Sequence, residues 1–330
     1  MPLPSINPPL INSSNPWATT LEDLQELFDC PDSGGVTTRT SLLHGFQHDD
    51  EVHQYTFFDT RDPTKKPNRL DGHVPLEFGG SLNTLGYTPI PISTYLAMIS
   101  KIISDSTLPA DKKSSKSLII SVTGSAEAVR ECYERIRAVQ ATIENPLCME
   151  INLSCPNIPD KPPPAYSGSS LAEYLKVLTE ASGDDRRVAI GIKTPPYTYH
   201  DQFKTLIDAL VAASQPTCPI DFITATNTLG TTLVLADNDG TPRINSASGA
   251  GIGALGNVKT IRSMLDEHDQ LKDIDIIGVG GVSDRGGFDR MRAVGAKVVG
   301  IGTALGREGV NVFGKILSTK LSPSGPSSSR

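Results

Sequence analysis

The sequence predicts an α/β chain folded as one closed (β/α)8 barrel of the TIM type, and three observations carry that expectation. From about residue 118 onward, continuous apolar runs alternate with amphipathic helical stretches, the pattern of a parallel sheet covered on its faces. Six such units fit in the last two thirds of the chain, and the first third can supply the rest. A barrel uses ~250 residues, so a chain of 330 accommodates one with insertions to spare.

The elements follow in order. Gly35 to Thr38 and a short run before Asn83 are the candidate early strands. Gln47 to Leu76, rich in Asp, His, Pro and Lys, has no clear period and is expected to be an inserted loop region covering the barrel mouth. Leu118 to Thr123 reads as a buried strand, followed by a helix from Ala126 to Ala141 with Val129, Cys132, Ile136 and Val139 on one face. Further strands are expected at Cys148–Leu153, Val188–Lys193, Ile220–Ala225, Ile274–Gly278 and Lys297–Ile301. Helices are expected around Leu171–Leu178, His200–Ala213, Val258–Leu265 and Phe288–Val294. No repeat and no linker divides the chain, so residues 1–320 are expected to form a single catalytic domain. Residues 321–330, rich in Ser and Pro, are expected to be a flexible tail.

Composition narrows the partners. A net charge of −7 and a pI near 5.4 argue against nucleic acid, which needs a basic face. No run approaches the ~18 apolar residues of a membrane span. The N-terminus lacks a basic segment followed by an apolar one, so a cytoplasmic chain is expected. Cys30, Cys132, Cys148, Cys155 and Cys218 are scattered and odd in number, which fits reduced thiols rather than a disulfide framework. His44, His48 and His53 lack metal-ligand spacing and read as polar loop residues, so no metal is expected.

In a barrel of this kind the chemistry sits where strands run out into the following loops. The strand ending at Leu153 runs into Asn152, Cys155 and Asn157. The two carboxamides can each donate and accept hydrogen bonds. The thiol, ordinarily near ~8.5, is readily tuned toward neutral pH and can shuttle a proton. Such a trio suits a flat heterocycle with amide and carbonyl edges, deprotonated at carbon. Lys193 ends the next strand, where a lysine is costly unless it meets an anion or a hydrogen-bonding partner. Thr226-Asn227-Thr228 ends the one after. The last two strands end in Gly278-Val279-Gly280-Gly281 and Gly300-Ile301-Gly302-Thr303. Glycines there let backbone N–H groups approach a phosphate. Together these ends describe a flavin mononucleotide (FMN) across the barrel mouth, its phosphate under the last two loops. Gly251-Ile252-Gly253-Ala254-Leu255-Gly256 matches a dinucleotide fingerprint, but a polar loop precedes it instead of a strand. It reads as another phosphate-side barrel loop.

Taken together, these residues resemble the class 1A dihydroorotate dehydrogenases, the cytosolic, FMN-containing, fumarate-linked branch of that family. The similarity runs from Pro9 to about Lys315 and is most specific at Asn152-Leu153-Ser154-Cys155-Pro156-Asn157. Other similar segments include Gly191 to Pro196, Asn227-Thr228, Gly280-Gly281, Ile301 to Leu305 and, near the N-terminus, Asn83-Thr84-Leu85-Gly86. The resemblance implies oxidation of dihydroorotate to orotate in pyrimidine biosynthesis, with fumarate reduced to succinate at the same site. It implies Cys155 as the base. Asn83, Asn152, Asn157 and Asn227 would hold the ring and its carboxylate, helped by backbone groups of Leu85, Gly86 and Tyr87. FMN would contact Ser13, Ser14, Asn152, Lys193, Thr228, Gly251, Gly280, Gly281, Gly302 and Thr303. A homodimer is typical of the branch.

Three departures lie in the first 50 residues. Thr38-Arg39-Thr40 stands where the family has Thr-Lys-Ser, so Arg39 would take the lysine's place between flavin and substrate. The swap keeps the charge but is not neutral, because guanidinium is bulkier and planar. The family's Gly-Asn-Pro stretch is absent from Leu43 to Asp50, and Asn15 replaces a usual glycine. The alternatives are a paralogue acting on another dihydropyrimidine or enone-like compound, and a flavin-binding protein with little catalysis.

Overall fold

The computed structural model describes residues 2–62, 65, 74–158, 162–183, 186–215, 217–234, 254–318 and, as backbone, 247–249. In chain order its strands are β1 (Leu10–Asn12), β2 (Gly35–Thr37), β3 (Tyr55–Phe58), β4 (Gly80–Asn83), β5 (Ser117–Val122) and β6 (Leu147–Asn152). They continue as β7 (Ala189–Thr194), β8 (Phe222–Ala225), β9 (Leu229–Thr232), β10 (Ala247–Gly249), β11 (Asp275–Val279) and β12 (Val298–Ile301). Eight form one parallel sheet in the order β1-β12-β11-β8-β7-β6-β5-β2. Followed round the ring, that is chain order with the last strand beside the first, the topology of a (β/α)8 barrel.

The sheet is continuous except at one seam. Strand β12 pairs with β1, Leu10 opposite Val299 and Asn12 opposite Ile301. Between β1 and β2 a side chain takes the place of the ladder. Asn12 Nδ2 donates to Thr37 O at 2.6 Å, and the Thr37 N–H donates to Asn12 Oδ1 at 2.9 Å. A carboxamide carries the same donor and acceptor as a peptide unit, so the buried Asn12 extends β1 sideways and closes the barrel.

The early strands differ from expectation. The run before Asn83 is a strand, β4, but it lies outside the barrel in a second, antiparallel sheet ordered β3-β4-β10-β9. The remaining barrel strand is Leu10–Asn12, preceded by Pro8-Pro9 and too short to show a period. The inserted region from Gln47 also contains a strand, Tyr55–Phe58. Trp17 fastens that strand to the barrel, stacked on Phe57 at 5.5 Å between ring centroids and edge-on to Tyr55 at 5.4 Å. Elsewhere the expected strands and helices are present with ends displaced by one to a few residues. The tail at 321–330 lies outside the described residues.

Alternation along the barrel strands sorts polarity by depth. Every second residue of a strand points inward. At the bottom, Ile11, Ile119, Cys148, Ala189, Phe222, Ile277 and Val298 form an apolar plug with the N-terminal Leu3 and Ile6. A Cβ at Gly191 would lie 2.2 Å from the Phe222 ring, so glycine there makes room for the plug. Two residues higher come Ser121, Glu150 and Thr224; above them Asn152, Lys193 and Thr226 reach the mouth. The outer faces pack against the helices in a larger core. Helix Ala126–Gln140 buries Val129, Cys132 and Ile136 as its spacing predicts, and Ser125 caps it. Among the described residues no helix is long and apolar enough to cross a membrane.

Candidate active site

A cavity of ≈ 280 Å³ opens at the C-terminal ends of the barrel strands, roofed in part by β4 and the loop after it. Its floor is a hydrogen-bond chain with a readable direction. Ser121 Oγ donates to Glu150 Oε1 at 3.0 Å and Thr224 Oγ1 to Glu150 Oε2 at 2.7 Å. With its one proton used, Ser121 can only accept from Thr40, 2.9 Å away. Thr40 therefore accepts from Ser14 Oγ (3.0 Å) and from Asn152 Nδ2 (3.0 Å). The buried carboxylate thus orients hydroxyls, and through them an amide, at the cavity surface.

The same network fixes which way the carboxamides point. Asn152 Oδ1 accepts from Ser154 Oγ at 2.9 Å, and Asn227 Nδ2 donates to Ser154 Oγ at 2.9 Å. The Thr228 N–H holds Asn227 Oδ1 at 2.8 Å. On the opposite wall Asn157 Nδ2 donates to Asn83 Oδ1 (2.9 Å) and Leu85 O (2.8 Å). Gly86 follows, packed so closely on Phe46 that a Cβ would lie 2.5 Å from the ring. Arg39, nearly buried, donates from Nη2 to Tyr87 O at 3.2 Å, so its guanidinium supports this loop.

Charge gathers beneath. Lys193 is 3% exposed and donates to Ser13 Oγ at 3.1 Å. Burial pushes its ammonium below the usual range, opposed by Glu150 and Cys155. Cys155 is half-buried and lies in the cavity wall. The sequence suggested a thiol tuned toward neutral pH, but burial pushes Cys155 upward. The Asn157 backbone N–H, Lys193, the Tyr87 phenol and Arg39 oppose that shift.

At the far end, Gly280 and Gly281 have φ of 131° and 69°, backbone that favours glycine. Among the described residues, a Cβ added to Gly281 or Gly302 would meet no atom within 4 Å. Both line the cavity, so packing does not demand glycine there; the open faces form a cradle that a side chain would fill. Thr303 Oγ1 beside them bonds Ser81 Oγ at 2.7 Å. Thr226 Oγ1, on a residue only 3% exposed in the cavity wall, has no hydrogen-bond partner among the described residues. A cradle at one end, a buried cation beside it and an orphaned hydroxyl suit a phosphorylated, polar-edged ring.

All the candidate residues of the sequence stand in this wall except Gly251, which lies outside the described residues. Sequence reading passed over Thr40, the hub of the floor, though it sits beside Arg39. It also passed over Trp17, the chain's only tryptophan, and Arg307, whose guanidinium is paired with Glu308.

Fold and site together define a (β/α)8-barrel enzyme working at the C-terminal mouth. The sequence profile of the dihydroorotate dehydrogenase family matches residues 66–321. The chain belongs to that family of oxidoreductases. It is 28% identical over 322 residues to the probable dihydroorotate dehydrogenase A (fumarate) of Streptococcus pneumoniae, covering 93% of this chain and 86% of the relative. To dihydroorotate dehydrogenase A (fumarate) of Lactococcus lactis subsp. lactis it is 27% identical, covering 94% and 88%. The crystal structure of Eimeria tenella DHODH in complex with ferulenol superposes with a TM-score of 0.67 at 13% identity, covering 93% and 79%, a likeness of fold.

Proposed function

We propose that this chain oxidises dihydroorotate to orotate in pyrimidine biosynthesis, using FMN at the barrel mouth and fumarate as electron acceptor, which leaves as succinate. One observation carries the reading: Asn83, Asn152, Asn157, Asn227 and Cys155 line one cavity that also contains the glycine cradle and Lys193. A binding scaffold has no need of a thiol among four amides. FMN would rest with its phosphate at Gly280, Gly281, Gly302 and Thr303, and its ring near Ser13, Ser14, Asn152, Lys193 and Thr228. Bound there, it supplies the acceptor for the hydride from substrate C6.

The protein's own groups do the rest. Cys155 Sγ, as thiolate, removes the proton from C5. Asn152 and Asn227, locked through Ser154, and Asn83 and Asn157, locked to each other, hold the ring and its carboxylate with backbone of Leu85, Gly86 and Tyr87. Orientation by fixed amides is a large part of such a rate, and it discriminates, because an analogue without matching groups leaves them unpaired. Arg39 contributes positive charge beside the substrate loop, which favours an anionic substrate over a neutral dihydropyrimidine. Residues 1–320 would act as one catalytic domain, cytoplasmic and homodimeric, on the strength of the resemblance.

The test is stoichiometry: anaerobic protein given dihydroorotate and fumarate should form one orotate per succinate. Orotate without succinate assigns another acceptor. No orotate rejects the reading.

A further inference from the structure

Glu150 stands one layer below Asn152 on β6, 2% exposed and behind the cavity wall. Its carboxylate accepts from Ser121 Oγ of β5 at 3.0 Å and from Thr224 Oγ1 of β8 at 2.7 Å. The second bond spans β7, where Gly191, opposite Glu150, has no side chain to intervene. An isolated buried carboxylate is costly, and this one has two hydroxyl donors and the Lys193 ammonium nearby. Burial lowers Lys193, and Glu150 is the first group to oppose that shift.

The two donors lead to different places. Among the described residues, Thr224 Oγ1 bonds the carboxylate and no other group. Ser121 Oγ continues to Thr40 Oγ1 at 2.9 Å, and Thr40 to Ser14 Oγ and Asn152 Nδ2, each at 3.0 Å. Each hydroxyl has one proton. The carboxylate takes that of Ser121, Ser121 takes that of Thr40, and Thr40 must then take that of Ser14. Ser14 keeps only lone pairs for a ligand. Asn152 keeps its second Nδ2 hydrogen, because its Oδ1 is held by Ser154 Oγ at 2.9 Å. Both residues line the cavity.

We propose that Glu150 is a positioning residue that sets the polarity of the ligand site, acting through Ser121 and Thr40 to leave Ser14 as an acceptor and Asn152 as a donor toward the ligand. With the negative charge at its end the chain runs one way. Cut from that end, Thr40 is free to turn its proton to Ser14 or to an inverted Asn152 carboxamide, and a fraction of the molecules present the reverse pattern. A flat ring with fixed carbonyl and N–H edges matches one pattern and leaves the other unpaired. The selection is built beneath the site, before a ligand arrives, by a group that no ligand touches.

The inference rests on the proposed function for its probe, and the test separates the two. Orotate is titrated into the FMN-loaded protein and read from the change in flavin absorbance, without turnover. A wild-type protein that binds no FMN or no orotate rejects the proposed function and the inference with it. Where wild type binds, two variants decide. Ser121→Ala and Thr224→Val each take one hydroxyl from Glu150, and neither residue lines the cavity. Ser121→Ala alone cuts the chain to Thr40. Its dissociation constant for orotate should rise about five- to tenfold, the worth of one oriented hydrogen bond, and that of Thr224→Val by about twofold or less. A carboxylate that only supports the core would feel both losses alike. Equal shifts, or a larger one in Thr224→Val, overturn the inference. Should Ser121→Ala fail to fold, the double variant Glu150→Gln/Thr224→Val decides. With no hydroxyl at 224 to receive it, the new amide turns its N–H to Ser121 and reverses the chain. Orotate should then bind at least about fivefold more weakly than to Thr224→Val alone, and equal affinity overturns the inference.

Discussion

Asn157 Nδ2 lies 2.9 Å from Asn83 Oδ1 and 2.8 Å from Leu85 O, so one side chain from the loop after β6 pins the loop after β4 across the cavity. The two asparagines are 74 residues apart in sequence and act as one clamp. Removing Asn157 leaves two acceptors of the substrate loop without their donor. Asn157→Ala should raise KM for dihydroorotate ~10-fold or more with a smaller change in kcat, since the loss falls mainly on binding. Steady-state kinetics checks this; a fall confined to kcat would contradict it.

The Cys155 thiol, raised by burial, must ionise before it can act as base. Flavin reduction by dihydroorotate should therefore accelerate tenfold per pH unit below the thiol's titration and level off on the alkaline side. Cys155→Ala should cost ~100-fold to 10,000-fold, the range for removing a general base. Anaerobic stopped-flow across pH provides both numbers. A rate flat from pH 6 to 9 would assign the base elsewhere.

Gly302 separates packing from ligand binding. A Cβ there meets no atom of the described residues within 4 Å, so Gly302→Ala should fold with nearly unchanged Tm while losing at least about tenfold in FMN affinity, through lost close approach of the backbone. Calorimetric titration of FMN into flavin-stripped protein measures it. Equal affinity would place the phosphate away from this loop.

Stability should decline on the alkaline side. Burial holds Cys132 up to about 12 against its ordinary 9.0, and Tyr95 up to about 12 against 10.0. Between the ordinary and raised values the folded chain keeps a proton that the unfolded chain has released, so stability falls as pH rises above about 9. Lys193, lowered by burial, works the other way, and so does Lys116. Burial lowers it to about 8 from 10.5, and over that window the unfolded chain holds the extra proton. Cys30, Cys148, Cys155, Cys218 and several other tyrosines are also raised, so the decline should dominate. Scanning calorimetry should give a Tm roughly 5 °C or more lower at pH 10.5 than at pH 8; a constant or rising Tm would contradict it.

The barrel was legible because its central strands are buried on both faces, and apolar runs such as Leu118 to Val122 leave little choice of element. Strand β1 was not. Three residues carry no period, and the bond that makes them part of the ring comes from the Asn12 side chain. The covering sheet was hidden for a similar reason, since its strands are three or four residues long and pair across large separations. In the site, residue types at strand ends pointed to the carboxamides, Cys155, Lys193 and the glycines. Spacing could not show that Thr40 joins Ser14, Ser121 and Asn152, because those contacts exist only once four strands, β1, β2, β5 and β6, stand together in the barrel. Nor could it give the sign of the Cys155 shift, which depends on burial.

The most direct measurement is the visible spectrum of the purified protein under anaerobic conditions, before and after dihydroorotate and again after fumarate. Rapid loss of flavin absorbance on dihydroorotate, with recovery on fumarate, is the expected result. A flavin spectrum that dihydroorotate leaves unchanged would contradict the substrate. A protein that takes up no FMN would contradict the cofactor site built from Lys193 and the glycine cradle.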